Sequence, residues 1–156
     1  MQFEELYANY WDKIYRLCLG YINNPDQAKD LAQETFIAAW KQLDNFRHEA
    51  SIGTWLYRIA SNTCLRQIQI DKRMPKVDFP VQIPEPEVQS IEQEIQLLYR
   101  FISELPELDR IIISLELEGI KQADIAQVVG IKEGNVRVKI HRIKEKLTQK
   151  FKSHGK

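Results

Sequence analysis

Arg137, Lys139, His141, Arg142, Lys144 and Lys146 crowd into one short stretch near the C-terminus. Between them Val136, Ile140, Ile143 and Leu147 recur at helical spacing, so the stretch reads as a helix with one apolar and one basic face. Such a basic face suits a polyanion. A second group, Asp30, Gln33, Glu34, Ile37 and Lys41, is spaced to share one helical face. That face mixes acidic, amide and apolar groups, which fits a partner surface better than a core. Thr54, Arg58 and Asn62 form a third group, one turn apart on a polar face that follows "FRHEASIG". Aromatic or guanidinium planes near such a face can stack exposed bases at roughly 1–3 kcal/mol each.

No group has the look of an active site. Asp, Glu and His are not gathered at a catalytic spacing. Cys18 and Cys64 lie far apart, with three scattered histidines and no CxxC or HxxxH pattern. Neither a metal site nor a cofactor is therefore expected, and the thiols read as two small buried side chains in a reducing cytoplasm.

The elements that must position these groups are almost all helical. Apolar residues recur at helical spacing over 3–22. "NNPD" ends that helix and starts a second, with Asn24 as cap and Pro25 at the first position. Ala28, Leu31, Ala32, Phe36, Ala39 and Leu43 form its stripe. A third helix is expected over 51–71, with Ser51 as N-cap and Ile52, Trp55, Leu56, Ile59, Ala60 and Cys64 on one face. Trp55 is expected in the core, while the role of Tyr57 stays open. The pattern stops in "DKRMPKVDFPVQIPEPEVQ", where four prolines predict an extended tether. Four further helices are expected over 88–104, 106–118, 121–129 and 133–150.

Composition bounds the class. With 44% hydrophobic and 28% charged residues the chain is ordinary globular material. No apolar run approaches the roughly 20 residues of a membrane-spanning helix, so membrane insertion is not expected. No secretory signal is visible in "MQFEELYANYWDK". The zero net charge hides an uneven spread. Residues 76–118 hold three Lys/Arg against ten Asp/Glu, and residues 119–156 hold ten against three. Either the basic end is a polyanion-binding surface, or the two segments neutralise each other, and composition leaves both open.

"ADIAQVVGIKEGNVRVKIHRIKEKL" is the clearest motif. Ile125, Ala126 and Val129 make the inner face of a short helix, Gly130 supplies a sharp turn with positive φ, and the basic helix follows. The Ala126–Gly130–Val136 spacing is that of a helix-turn-helix, whose second helix lies in the major groove of DNA. Arg137 and His141 are the base-contact candidates, and Val138 can meet a thymine methyl. Lys132, Asn135, Lys139 and Arg142 are the phosphate-contact candidates.

Two long segments, "DLAQETFIAAWKQLDNFRHEASIGTWLYRIASNTCLRQIQIDKR" and "LPELDRIIISLELEGIKQADIAQVVGIKEGNVRVKIHRIKEKL", together resemble a bacterial sigma factor of the small extracytoplasmic-function (ECF) group. The resemblance spans nearly the whole chain. It implies an all-α fold of two small helical domains joined by a Pro-rich tether: a region 2-like domain over 1–73, a linker over 74–87, and a region 4-like helix-turn-helix domain of four helices over 88–156. It implies that "DLAQETF" docks on the clamp-helix coiled coil of the largest core RNA polymerase subunit, with Asp30, Gln33 and Glu34 at contact positions and Ile37 and Lys41 continuing the face. By the same likeness, His48, Glu49, Ala50 and Ser51 form a loop that captures a −10 base turned out of the stack. Asn62 matches a base contact, Thr54 and Arg58 share its face, and Lys72 and Arg73 meet upstream phosphates. The C-terminal domain would read the −35 duplex. The implied partners are core RNA polymerase, promoter DNA and an anti-sigma factor, in the cytoplasm. No catalytic residue is implied, because phosphodiester formation belongs to polymerase.

Three positions depart from the family pattern. Asn135 replaces the usual Thr, Val138 the usual Ser, and His48 the commoner Gly. Without the resemblance, the residues also fit a stand-alone helix-turn-helix regulator or a helical protein-binding adaptor.

Overall fold

The computed structural model describes residues 2–73 and 90–154, with the side chains of 68–73 outside the description. The tether expected over 74–87 lies outside the described residues. The elements are α1 (Phe3–Ile22), α2 (Pro25–Gln42), a 3-10 turn (Leu43–Asn45), α3 (Ile52–Arg73), α4 (Ile91–Ser103), α5 (Glu107–Leu117), α6 (Gln122–Val129) and α7 (Glu133–His154). Among the described residues there is no strand, and no helix is long and apolar enough to cross a membrane.

Local chemistry sets the boundaries. Asn23 takes a left-handed conformation and donates its N–H to the Leu19 carbonyl, which ends α1. The Asn24 side chain then accepts the Gln27 N–H at 3.0 Å, and Pro25 opens α2 where no amide donor is needed. Ser51 Oγ accepts the Thr54 N–H at 3.1 Å and so caps α3. Ser90 does the same for α4, through the Gln93 N–H at 3.2 Å. Gly130, at φ 74, stops α6 and makes the expected turn.

Helices α1, α2 and α3 form the first unit. Leu6, Ile14, Leu17, Cys18 and Tyr21 of α1 are buried with Leu31 and Phe36 of α2 and Leu56, Tyr57 and Cys64 of α3. The Cys64 thiol donates to Cys18 Sγ at 3.8 Å. That bond, then burial, push the Cys64 thiol well above its ordinary range. Helices α4 to α7 form the second unit around Leu97, Ile102, Ile112, Leu115, Ile125, Val136, Ile140 and Ile143.

The two units pack on one another along a seam, with α1 against α4 and α5 and α3 against α6. Arg16 meets Glu118 with two nitrogens, Nη2 standing 2.8 Å from Oε2. Arg110 donates to the Tyr21 carbonyl at 3.1 Å and to the Leu105 carbonyl at 2.6 Å. Gly20 is buried at the closest approach, where an added Cβ would stand 2.5 Å from Ser114 Oγ. Helices α1 and α5 come this near because position 20 has no side chain. Gly20→Val should therefore lower stability by about 1–3 kcal/mol through overpacking. The measurement is the urea unfolding midpoint, and adding Ser114→Ala should return part of the loss. An unchanged midpoint in Gly20→Val would mean that α1 does not rest on α5 in this way.

Candidate protein-docking and nucleic-acid interfaces

Helix α2 keeps its two sides apart. Its inner side is built from Ala28, Leu31, Ala32, Thr35, Phe36 and Ala39, all buried. Thr35 is tolerated there because its hydroxyl donates to the Leu31 carbonyl at 2.8 Å. Asp30, Gln33, Glu34, Ile37 and Lys41 are all exposed on the other side, as their spacing predicts. Ile37 is 54% exposed, and Trp40 beside it is 63% exposed. Trp40 was missed in the sequence. Its position three residues after Ile37 and seven after Gln33 was the available signal, since that spacing places it off the buried stripe.

The segment between α2 and α3 encloses a cleft of about 720 Å³, lined by Leu43, Phe46, His48, Glu49, Ala50 and Ser51 among others. His48 has φ 57, a left-handed conformation that glycine adopts freely and few other residues accept. Its ring lies 4.5 Å from Phe46, which in turn lies 5.1 Å from Trp55. Trp55 is half-buried, so its expected core role is that of a rim residue.

Arg58 and Asn62 are exposed on α3, but Thr54 is only 4% exposed. The polar face expected for all three holds for two of them. Thr54, Tyr57, Ile120 and Asp124 line a common cleft between α3 and the start of α6. The Thr54 hydroxyl accepts from Ser51 Oγ at 2.9 Å. Tyr57, left open by the sequence, is buried, and burial pushes its phenol above the ordinary range. The Arg58 guanidinium donates to the main-chain carbonyl of Gln127, on α6, at 2.9 Å. Lys72 and Arg73 lie on the last turn of α3, and their side chains fall outside the described residues.

In the second unit, α6, Gly130 and α7 make the predicted helix-turn-helix, with Val136, Ile140, Ile143 and Leu147 buried beneath α7. Lys132, Asn135, Arg137, Val138, His141 and Arg142 are exposed. Lys139 is partly buried, with Nζ 3.5 Å from Asp109 Oδ1. Lys144 approaches Glu116 at 3.7 Å, and Lys150 meets Glu104 at 2.8 Å. The acidic segment and the basic end thus neutralise each other where α7 meets the body. Arg137 and Arg142 remain exposed, as does His141, whose Nε2 lies 3.3 Å from Glu145. Of the two readings of the charge asymmetry, mutual neutralisation holds for Lys139, Lys144 and Lys150.

Comparison with known proteins follows the same division. Residues 6–73 match the family "Sigma-70 region 2", and residues 95–147 match "Sigma-70, region 4". The RNA polymerase sigma-H factor of Pseudomonas aeruginosa is 34% identical, over 92% of this chain and 82% of that one. The ECF RNA polymerase sigma-E factor of Escherichia coli is 33% identical over 95% and 85%, and the ECF RNA polymerase sigma factor SigW of Bacillus subtilis is 30% identical over 96% and 89%. Among solved structures, the sigma factor RpoE of Bartonella quintana, in complex with the anti-sigma factor NepR, superposes with a TM-score of 0.77 at 20% identity, covering 96% of both chains. CnrH in complex with the cytosolic domain of CnrY gives 0.74 at 21%, covering 97% of this chain and 88% of that one. With both regions present in order and relatives aligned along most of their length, the chain belongs to the ECF sigma factors, the promoter-recognising initiation subunits of bacterial RNA polymerase.

Proposed function

We propose that the outer face of α2 grips the clamp-helix coiled coil of core polymerase through Asp30, Gln33, Glu34, Ile37 and Lys41, with Trp40 as its aromatic anchor. The observation that carries this reading is the pair of large apolar side chains, Ile37 and Trp40, left exposed on an otherwise acidic and amide face. Buried aromatic anchors dominate most protein interfaces, so a solvated tryptophan beside paired acids suits a surface awaiting its partner.

The cleft of His48, Glu49, Ala50 and Ser51 takes a −10 base that has left the stack, at an unstacking cost of a few kcal/mol offset by the fit of the pocket. Arg58 and Asn62 follow the strand along α3, and Lys72 and Arg73 meet duplex phosphates upstream. Arg137, Val138 and His141 read base edges of the −35 duplex. Lys132, Asn135, Arg142 and Lys139, the last after release from Asp109, hold its phosphates. Val138 has no hydroxyl to donate, so it selects by apolar contact where Ser would select by hydrogen bonding. Two weak DNA contacts on one scaffold raise each other's effective concentration. This work is done in the cytoplasm, and an anti-sigma polypeptide holds the chain inactive, in keeping with the partners of the two solved relatives.

Run-off transcription with purified core polymerase on a promoter library tests the whole reading. Glu34→Lys should abolish both initiation and co-purification with core, and Trp40→Ala should weaken polymerase binding by about 2 kcal/mol, roughly thirtyfold. Arg137→Ala should cost about 1–3 kcal/mol of discrimination at one −35 base pair while polymerase binding is unchanged. Asn62→Ala should slow promoter opening, read by permanganate reactivity of unpaired thymines, with upstream docking intact. Equal activity of all four variants and the wild type would overturn the residue assignments.

A further inference from the structure

Among the described residues other than glycine, only Asn23 and His48 have positive φ. Asn23 closes α1, where a left-handed residue is an ordinary helix stop. His48, at φ 57, lies between the 3-10 turn and α3, where no helix ends. A side chain crowds its own backbone in that conformation, and such outliers gather at ligand clamps. Glycine would take the same backbone freely, so the course of the loop does not call for a ring.

The ring has a definite place all the same. It packs on Phe46 at 4.5 Å between centroids, tilted by 55°, and Phe46 packs on Trp55 at 5.1 Å. Phe46 and Trp55 are half-buried and His48 is exposed, so the three rings run outward from α3 with the imidazole last. Phe46 and His48 both line the cleft of about 720 Å³. One side of the imidazole is taken by Phe46, and the rest is exposed where the cleft opens.

The charges of the cleft narrow what it can hold. Asp44 and Glu49 line it, and among the described residues no Lys or Arg does. Such a lining repels a phosphate and suits the uncharged part of a nucleotide. Ser51 Oγ is already committed, accepting the Thr54 N–H and donating to the Thr54 hydroxyl. Ring surface is what the cleft has left to offer.

We infer that His48 is a stacking residue, whose imidazole covers the face of the captured base and retains it without choosing its identity. The inference rests on the proposal that this cleft takes a −10 base. A base leaving the duplex gives up its stacked neighbours, and a ring already steadied by Phe46 returns part of that loss at little ordering cost. Every base has a π-face, so stacking serves all four. Choice among them falls to edge contacts such as the Glu49 carboxylate, which accepts from amino groups.

The test uses the full chain bound to core polymerase, on a promoter selected by the run-off library. His48→Gly keeps the left-handed backbone and removes only the ring. His48→Asn also accepts that backbone and keeps hydrogen-bonding groups, again without a ring. Permanganate reads opening, and 2-aminopurine, whose emission is quenched by stacking, is placed at successive positions of the −10 strand. Both variants should raise the half-saturating concentration for opening by about tenfold, by the same factor for each base at the captured position. The probe at that position should be dim with wild type and bright in the open complex that either variant still forms. The urea midpoint of His48→Gly should stay where it is. Opening by His48→Gly equal to wild type, or restored by His48→Asn, would overturn the stacking role, as would a clearly lower urea midpoint, which would give the ring to the fold. If wild type opens no promoter, the −10 reading of the cleft fails first and the inference falls with it.

Discussion

The pairing of Arg16 with Glu118 is the interaction on which the arrangement of the molecule turns. The Glu118 carboxylate alone in the seam would be poorly hydrated and costly, whereas the half-exposed Arg16 guanidinium satisfies it with two hydrogen bonds. Their meeting fixes α1 against the end of α5, and the seat is close because Gly20 leaves room for Ser114. Arg110 adds a second tie across the same seam through the Tyr21 carbonyl. With α1 seated on α4 and α5, α3 lies against α6. Burial of apolar surface supplies the attraction, and the polar ties select which surfaces meet.

The functional surfaces share a simple economy of faces. Small residues such as Ala28, Ala32 and Ala39 let α2 lie close to the core, so its other side is free to carry the mixed surface that a partner needs. Helix α7 divides its own cations: Asp109 and Glu116 draw Lys139 and Lys144 toward the body, and Arg137 and Arg142 stay outward. The outward set therefore projects at a defined angle, while the paired set braces the helix against α5. Surface ion pairs of this kind add little stability each, so their contribution is orientation.

Most of the helices were legible in the sequence because the signals that make them are local. Asn24 with Pro25, Ser51, Ser90 and Gly130 act within a few residues of where they stand, and the apolar stripes of α1, α2 and α7 each define a single buried face. The site was legible where a side chain's exposure depends on its own helix alone, as for Asp30, Gln33, Glu34 and Ile37. It was not legible where a distant element decides. Spacing puts Thr54 with Arg58 and Asn62, but Thr54 is buried, and Arg58 is bound by the Gln127 carbonyl of α6 from the other unit. Nothing near Arg16 in the sequence points to a partner 102 positions away. Trp40 escaped for the opposite reason: an aromatic residue suggests a core, and only its angular position on α2 argues that it stays outside. The left-handed His48 was hidden because a backbone conformation usually announced by glycine is here held by a ring packed on Phe46.

The two thiols between α1 and α3 carry a consequence for the chemistry of the bundle. Oxidants attack thiolate, and the Cys64 proton is retained by its sulfur neighbour and by the surrounding hydrocarbon. Both cysteines of the chain are shut away there, so peroxide finds no ready thiolate while the bundle stays intact.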